Sequence, residues 1–249
     1  MSRELTYLEA LNEALTQEMA RDASILMLGG QGHLPVTYIV MGSGAGVGRA
    51  GQHSDNPYPF LVHAGIKSVL PATPADAKGL TIAAIREDDP VAVFVSASAL
   101  ADRGPVPEAA EPVPLGQGVL RREGDRVTVV AVGHMLKPAL AVAEELAADG
   151  IEIAVWEPRS LLPLDKEGLA AAVAMTGRTV LFDDSARSCG FAAELGSVVA
   201  ERCFSSLKAP LRRVTRADVT IPFAREIEAP LLPDVERLKD AVRAVAAWK

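Results

Sequence analysis

The residues best suited to chemistry lie between positions 42 and 79. Gly42-Ser43-Gly44-Ala45-Gly46-Val47-Gly48 leads to Gly51-Gln52-His53-Ser54, then to Lys67-Ser68-Val69-Leu70 and to Thr73-Pro74-Ala75-Asp76-Ala77-Lys78-Gly79. Glycine lets a backbone come close to a ligand or to another segment. A histidine carried on such a loop can exchange protons near neutral pH. Together they read as one wall of an active site, with His53 as the proton-handling group. The glycine run itself has two readings, a flexible turn and the wall of a cofactor cleft. It is not a dinucleotide or P-loop fingerprint: the GxGxxG spacing, the acid on a second strand and the GK[ST] ending are all missing.

Other polar candidates are weaker. His134 follows Gly133 at the end of a predicted strand, where parallel sheets place ligands. His33 and His63 lack chemical neighbours and read as surface or packing residues, and Trp156 reads as core. Arg159 and Asp165 flank Pro163, a setting for pairing or helix capping. Glu194 complements a helix dipole near Arg187 and is assigned no chemistry. Cys189 and Cys203 stand outside any CxxC motif and read as two reduced, packed thiols, which implies a cytoplasmic protein.

These groups need a scaffold, and the chain alternates helix and strand patterns. A helix is expected over 4–20, a strand over Ile25 to Leu28, and a second over Val36 to Met41. A short strand closes at Val69-Leu70, Thr73-Pro74 opens a helix over 74–87, and Val91 to Val95 is an apolar strand. Four prolines between 101 and 116 make a stiff linker. Beyond it, Arg121 to Asp125 reads as a hairpin turn, with strands at Val127 to Val132, Ile151 to Trp156, Arg178 to Phe182 and Leu211 to Val214. Helices run from Lys137 to Ala148, Asp165 to Met175, Ala192 to Phe204 and Val235 to Ala247. The fold class is therefore α/β with mostly parallel sheets. The expected division is a first domain over 1–100, the linker over 101–116 and a second domain over 117–249. The chain is 249 residues long, 49% apolar and only 4% aromatic, so Ala, Val, Leu and Ile must fill the core. A net charge of −7 with dispersed Lys and Arg argues against nucleic acid. The polar start at Met1-Ser2-Arg3-Glu4 does not read as a signal peptide, and no apolar run reads as long enough to span a bilayer.

The series of motifs resembles the β subunit of the E1 component of 2-oxo acid dehydrogenases, a transketolase-like family. The resemblance rests on Gly51-Gln52-His53-Ser54, on Ala77-Lys78-Gly79-Leu80 with Ala84-Ile85-Arg86-Glu87-Asp88-Asp89-Pro90, and on Glu157-Pro158-Arg159 through Asp165. It continues through Asp183-Asp184 to Glu194, Arg213 to Ala224, and Leu232-Pro233-Asp234. It implies a shortened pyrimidine-binding domain followed by a transketolase C-terminal-like domain. It implies thiamin diphosphate with Mg, held mainly by an α-type partner because no Gly-Asp-Gly…Asn motif occurs here. It implies an α2β2 heterotetramer, a 2-oxo acid as substrate, and a lipoyl acyltransferase as a further partner. His53 would face the reaction centre, with Gly44, Gly46 and Gln52 on the cofactor side. Ala84, Ile85, Glu87 and Asp89 match positions that hold potassium in the family.

The chain also departs from the pattern. Only Gly29 to Pro35 separate the first strand from Val36, where the family carries several dozen residues. The absent block normally contains the glutamate that activates the cofactor through its pyrimidine ring. Ser96-Ala97-Ser98 stands where charged and aromatic residues are usual. Three readings follow: a β-type subunit of a heteromeric enzyme, a non-catalytic structural or regulatory partner, and a reshaped cleft in which Glu87 or a partner's carboxylate replaces the lost one. The shortened first domain leaves sheet edges to cover, so an obligate oligomer is expected.

Overall fold

The computed structural model describes residues 35–44, 48–109 and 111–249. The helix expected over 4–20, the strand at Ile25 to Leu28, and His33 and Gly46 lie outside the described residues. Residues from Pro35 to Lys249 form one compact unit.

Two sheets organise that unit. The first contains β1 (Thr37–Ser43), β2 (Lys67–Val69) and β3 (Val91–Ser96), with both β1 and β2 parallel to β3. Between β1 and β2 lie two short helices, α1 (Ala50–Ser54) and α2 (Tyr58–His63). Helix α3 (Pro74–Ile85) follows β2. Thr73 caps it by accepting the Asp76 N–H at 3.1 Å, and Pro74 sits in its first turn. Such a cap stabilises by about 1 kcal/mol.

The second sheet runs β4-β6-β5-β8-β9, built from β4 (Val119–Arg122), β5 (Val127–Ala131), β6 (Ile153–Glu157), β8 (Thr179–Ala186) and β9 (Arg212–Arg216). All its pairings are parallel except β4 with β6. β5 and β6 are buried along their whole length, as near-continuous apolar strands covered on both faces must be. One face packs against α4 (Leu136–Ala147) and α8 (Val235–Ala246), through Leu146, Val142, Leu238 and Val242. The other packs against α5 (Lys166–Thr176) and α6 (Phe191–Cys203). Tyr58, Leu70 and Phe94 join the same core as Val130, Trp156 and Phe191, so one apolar layer binds the two sheets. α7 (Arg225–Glu228) completes the helices.

One expectation is corrected, and two features come only from the tertiary structure. Arg121 to Asp125 does not close a hairpin: β4 pairs antiparallel with β6 and not with β5, so its edge is filled from across the sequence. A further strand, β7 (Ser160–Leu162), leaves the second half of the chain and pairs antiparallel with β2. It covers the β2 edge of the first sheet, which limits the exposed edge that a shortened domain would present. The proline-rich segment is docked on α3. The Val113 N–H donates to the Gly79 carbonyl at 3.0 Å, and Val113 lies where a Cβ at Gly79 would go. Among the described residues, no helix is long and apolar enough to cross a membrane.

Candidate functional site

The strand ends of both sheets meet at one place. Gly44 follows β1, Ser96 ends β3, His134 lies just beyond β5, Asp183 and Asp184 lie within β8, and Arg216 ends β9. Loops at the carboxyl ends of parallel strands are where such folds bind ligands. The segment from Gly48 to Tyr58, which carries His53, is fastened across these ends. The Gly48 N–H donates to Glu228 Oε2 at 2.8 Å, and Asp55 pairs with Arg216 at 2.6 Å. Asn56 donates from Nδ2 to the Asp184 carbonyl at 3.0 Å, and the Tyr58 hydroxyl donates to Asp183. Asp183 is fully buried and also accepts from the Ser185 hydroxyl, the Ser185 N–H and the Ala192 N–H at 2.9 Å. Burial pushes its carboxyl above the usual range, and these hydrogen bonds pull it back down.

Between those anchors, Gln52 and His53 are exposed, His53 in the last turn of α1. Gly44 is buried at φ +112°, a conformation that favours glycine. A Cβ there would stand 3.1 Å from both His134 Cε1 and Ser96 Oγ, so its close neighbours are other parts of the same chain. His134, at 11% exposure, places Nε2 3.1 Å from Asp184 Oδ2. Sequence reasoning placed His134 at a strand end but missed this pair and the Tyr58–Asp183 bond. The adjacent acids at the end of the apolar run Val180-Leu181-Phe182 were the available signal.

The four positions considered for potassium are at the end of α3. Ala84 is buried, Ile85 is exposed, and the carboxylates of Glu87 and Asp89 both bind the Lys67 ammonium, at 2.8 and 3.0 Å. Lys67 thus occupies the acidic groups, leaving backbone carbonyls as the oxygens these positions would offer an ion. Among the described residues no cluster of His, Cys, Asp and Glu has a metal-holding arrangement. Cys203 is buried as expected, whereas Cys189 is exposed at φ +58°; both are free thiols.

A second polar cluster lies away from these strand ends. Asp76, in the first turn of α3, binds Arg121 and Arg159, and Arg121 Nε reaches Glu157 Oε2 at 2.7 Å. Asp165 caps α5 and also accepts the Gly118 N–H at 2.9 Å, the structural role expected of it. Glu157 is completely buried, and its Oε1 has no hydrogen-bond partner among the described residues. Desolvation is the main cause that pushes the Glu157 carboxyl up from 4.5 to about 7; Arg121 opposes it and Asp76 adds to it. The unfolded chain releases this proton near 4.5, while the folded chain holds it until about 7. This contribution to stability is therefore complete below 4.5 and is lost as the pH rises through 7, a change of about 3 kcal/mol. Glu157→Gln does not titrate. Its stability relative to the parent should rise by about that amount between pH 5 and pH 8, measured by urea unfolding. An unchanged difference at the two pH values would refute the assignment.

Comparison with known proteins places this geometry in a family. Residues 30–102 match the transketolase pyrimidine binding domain and residues 116–238 the transketolase C-terminal domain. A pyruvate dehydrogenase E1 component subunit beta from Rickettsia felis is 35% identical over 223 residues, covering 89% of this chain and 68% of that protein. The chain belongs to the E1 β-subunit family of 2-oxo acid dehydrogenases. The acetoin:2,6-dichlorophenolindophenol oxidoreductase subunit beta of Bacillus subtilis is 37% identical over 213 residues, 85% of this chain. This E1 β-type chain spans 62% of the length of that relative. Among solved structures, a split gene transketolase, described as an inactive beta4 tetramer, is similar at a TM-score of 0.66 and 26% identity, over 86% of this chain and 67% of that one. The transketolase-like α/β fold expected from the motifs is thereby confirmed.

Proposed function

We propose that this chain is the β-type subunit of a heteromeric, thiamin-diphosphate-dependent enzyme that decarboxylates a 2-oxo acid and passes on an acyl or two-carbon unit. The observation that carries this reading is His53, exposed at the open end of the strands yet flanked on both sides by anchored residues. An imidazole held this way is built to meet something outside its own chain. The fit to the cofactor follows from the same arrangement. Gln52 and His53 are exposed, and with Gly44 and Gly46 they are proposed as the groups on the cofactor side. Thiamin diphosphate, when bound, supplies the carbon nucleophile and the electron sink for decarboxylation. The chain's own part is to orient the substrate and to move a proton at an imidazole nitrogen of His53.

The diphosphate and Mg are proposed to lie on an α-type partner in an α2β2 assembly in the cytoplasm, with a lipoyl acyltransferase as acceptor. The named relatives support the heteromeric part of this reading, since both are beta subunits. The proposed division remains 1–100, 101–116 and 117–249. Potassium is proposed only through the carbonyls near Ala84 and Ile85, with Glu87 and Asp89 tied to Lys67.

The second reading, a non-catalytic partner, draws on the short stretch between Gly29 and Pro35, which leaves out the family's activating carboxylate. Glu87 is paired with Lys67, which speaks against it as the replacement. Co-purification with an α-type chain that carries the Gly-Asp-Gly motif, followed by an assay of 2-oxo acid decarboxylation, separates the two. Cofactor-dependent turnover supports the enzyme. A stable complex with no turnover over any 2-oxo acid tested supports the scaffold.

A further inference from the structure

The helix that carries His53 has little to hold it in place by itself. α1 is five residues long, its N-cap Arg49 makes no side-chain cap, and Ala50 sits at φ +57°. A helix this short is not stable alone in water. Its position must come from contacts at its two ends, and those contacts converge on the second sheet. Asp184 joins two of them: its carboxylate takes His134, and its backbone carbonyl takes Asn56, three residues after His53. His134 in turn closes against Gly44, ahead of the helix. Arg216, 5% exposed, holds Asp55 while also donating to the Val219 carbonyl at 3.2 Å. Charge-assisted bonds of this kind, made by the largely buried His134, Asp184 and Arg216, are stronger than neutral ones.

We propose that His134, oriented by Asp184, and Arg216, paired with Asp55, are positioning residues for His53. The second domain then has a task in the chemistry: it sets where the imidazole stands. The proposal rests on the reading of His53 as the proton-handling residue. Its geometric content is independent of that reading, because both contacts bracket α1 whatever His53 does. A Cβ at position 44 would crowd both His134 Cε1 and Ser96 Oγ at 3.1 Å, and φ +112° itself favours glycine there.

Hydrogen exchange of the full-length chain tests the geometry without any cofactor. His134→Ala and Arg216→Ala should each speed exchange of the amides from Gly51 to Asn56 by about tenfold or more, while amides in β5 and β6 keep their protection. His134→Gln retains a donor toward Asp184 and should restore much of the protection. Arg216→Lys likewise retains the charge, and both conservative variants remain informative if the alanine variants do not fold. In the complex with an α-type partner, the alanine variants should lower kcat by about 10- to 100-fold with little change in KM, as expected of a displaced catalytic group. Unchanged exchange between Gly51 and Asn56 in these variants would overturn the positioning role even in an active complex. A loop that loosens in a complex whose parent form never turns over keeps the positioning role and removes the catalytic one.

Discussion

His53→Ala lowers turnover of the assembled complex by about a hundred- to ten-thousand-fold and leaves assembly intact. The magnitude is that of a lost general acid–base group. The expectation that assembly survives comes from the structure. His53 is exposed, and the segment around it is held through Gly48, Asp55, Asn56 and Tyr58, none of which depends on the imidazole. The variant should therefore elute with its α-type partner as the parent does and melt at the same temperature. A loss confined to KM would show that His53 contributes uniform binding and not proton transfer. Full activity in His53→Ala would remove the residue from the chemistry and favour the scaffold reading.

Asp183→Ala carries the largest expected cost in stability, about 4 kcal/mol. The carboxylate receives the Tyr58 hydroxyl, the Ser185 hydroxyl and N–H and the Ala192 N–H inside a core from which water is excluded. Its removal strands several buried donors, each at about 1–3 kcal/mol. Part of that cost is offset, because the desolvated carboxyl that raised its own pKa is also gone. Tyr58 makes the loss felt between the sheets, since its ring packs edge-on against Phe94 and Phe191. For a chain of this size the melting temperature should fall by roughly 8–16 °C. Tyr58→Phe removes one donor together with its need for a partner, and should cost far less. If the two variants cost the same, the four-donor account of Asp183 is wrong.

The pair of predictions separates two kinds of residue on one segment. His53 is dispensable to the fold and central to the proposed reaction. Asp183 is fully buried, and the segment that presents His53 is anchored through it. The Glu157 cluster behaves differently again: it joins α3, β4 and the turn after β6, and its cost is tunable by pH.

Much of the scaffold was legible in the sequence because the signals were local. Apolar runs such as Val127 to Ala131 and the caps at Thr73 and Asp165 depend on residues close along the chain. So did the glycine loop and the histidine motif, whose meaning as a family pattern survives without coordinates. β7 did not announce itself, because a three-residue strand has no periodicity to detect and pairs with β2 some ninety residues earlier. The hairpin expected at Arg121 to Asp125 failed for the matching reason: a turn signal cannot tell which distant edge its strand will join, and the edge available was that of β6.

The amino-acid sequence by itself settled the alternation of helices and strands, the family, and which histidine follows the glycine run; the structure places that histidine in a short helix. Tertiary structure alone decided that this histidine faces outward, that His134 meets Asp184 beside Gly44, and that Lys67 answers Glu87 and Asp89. The reason is distance along the chain. Helix and strand propensity act over a few residues, whereas Asn56 and Asp184, or Asp55 and Arg216, become neighbours only when two sheets pack on one apolar layer.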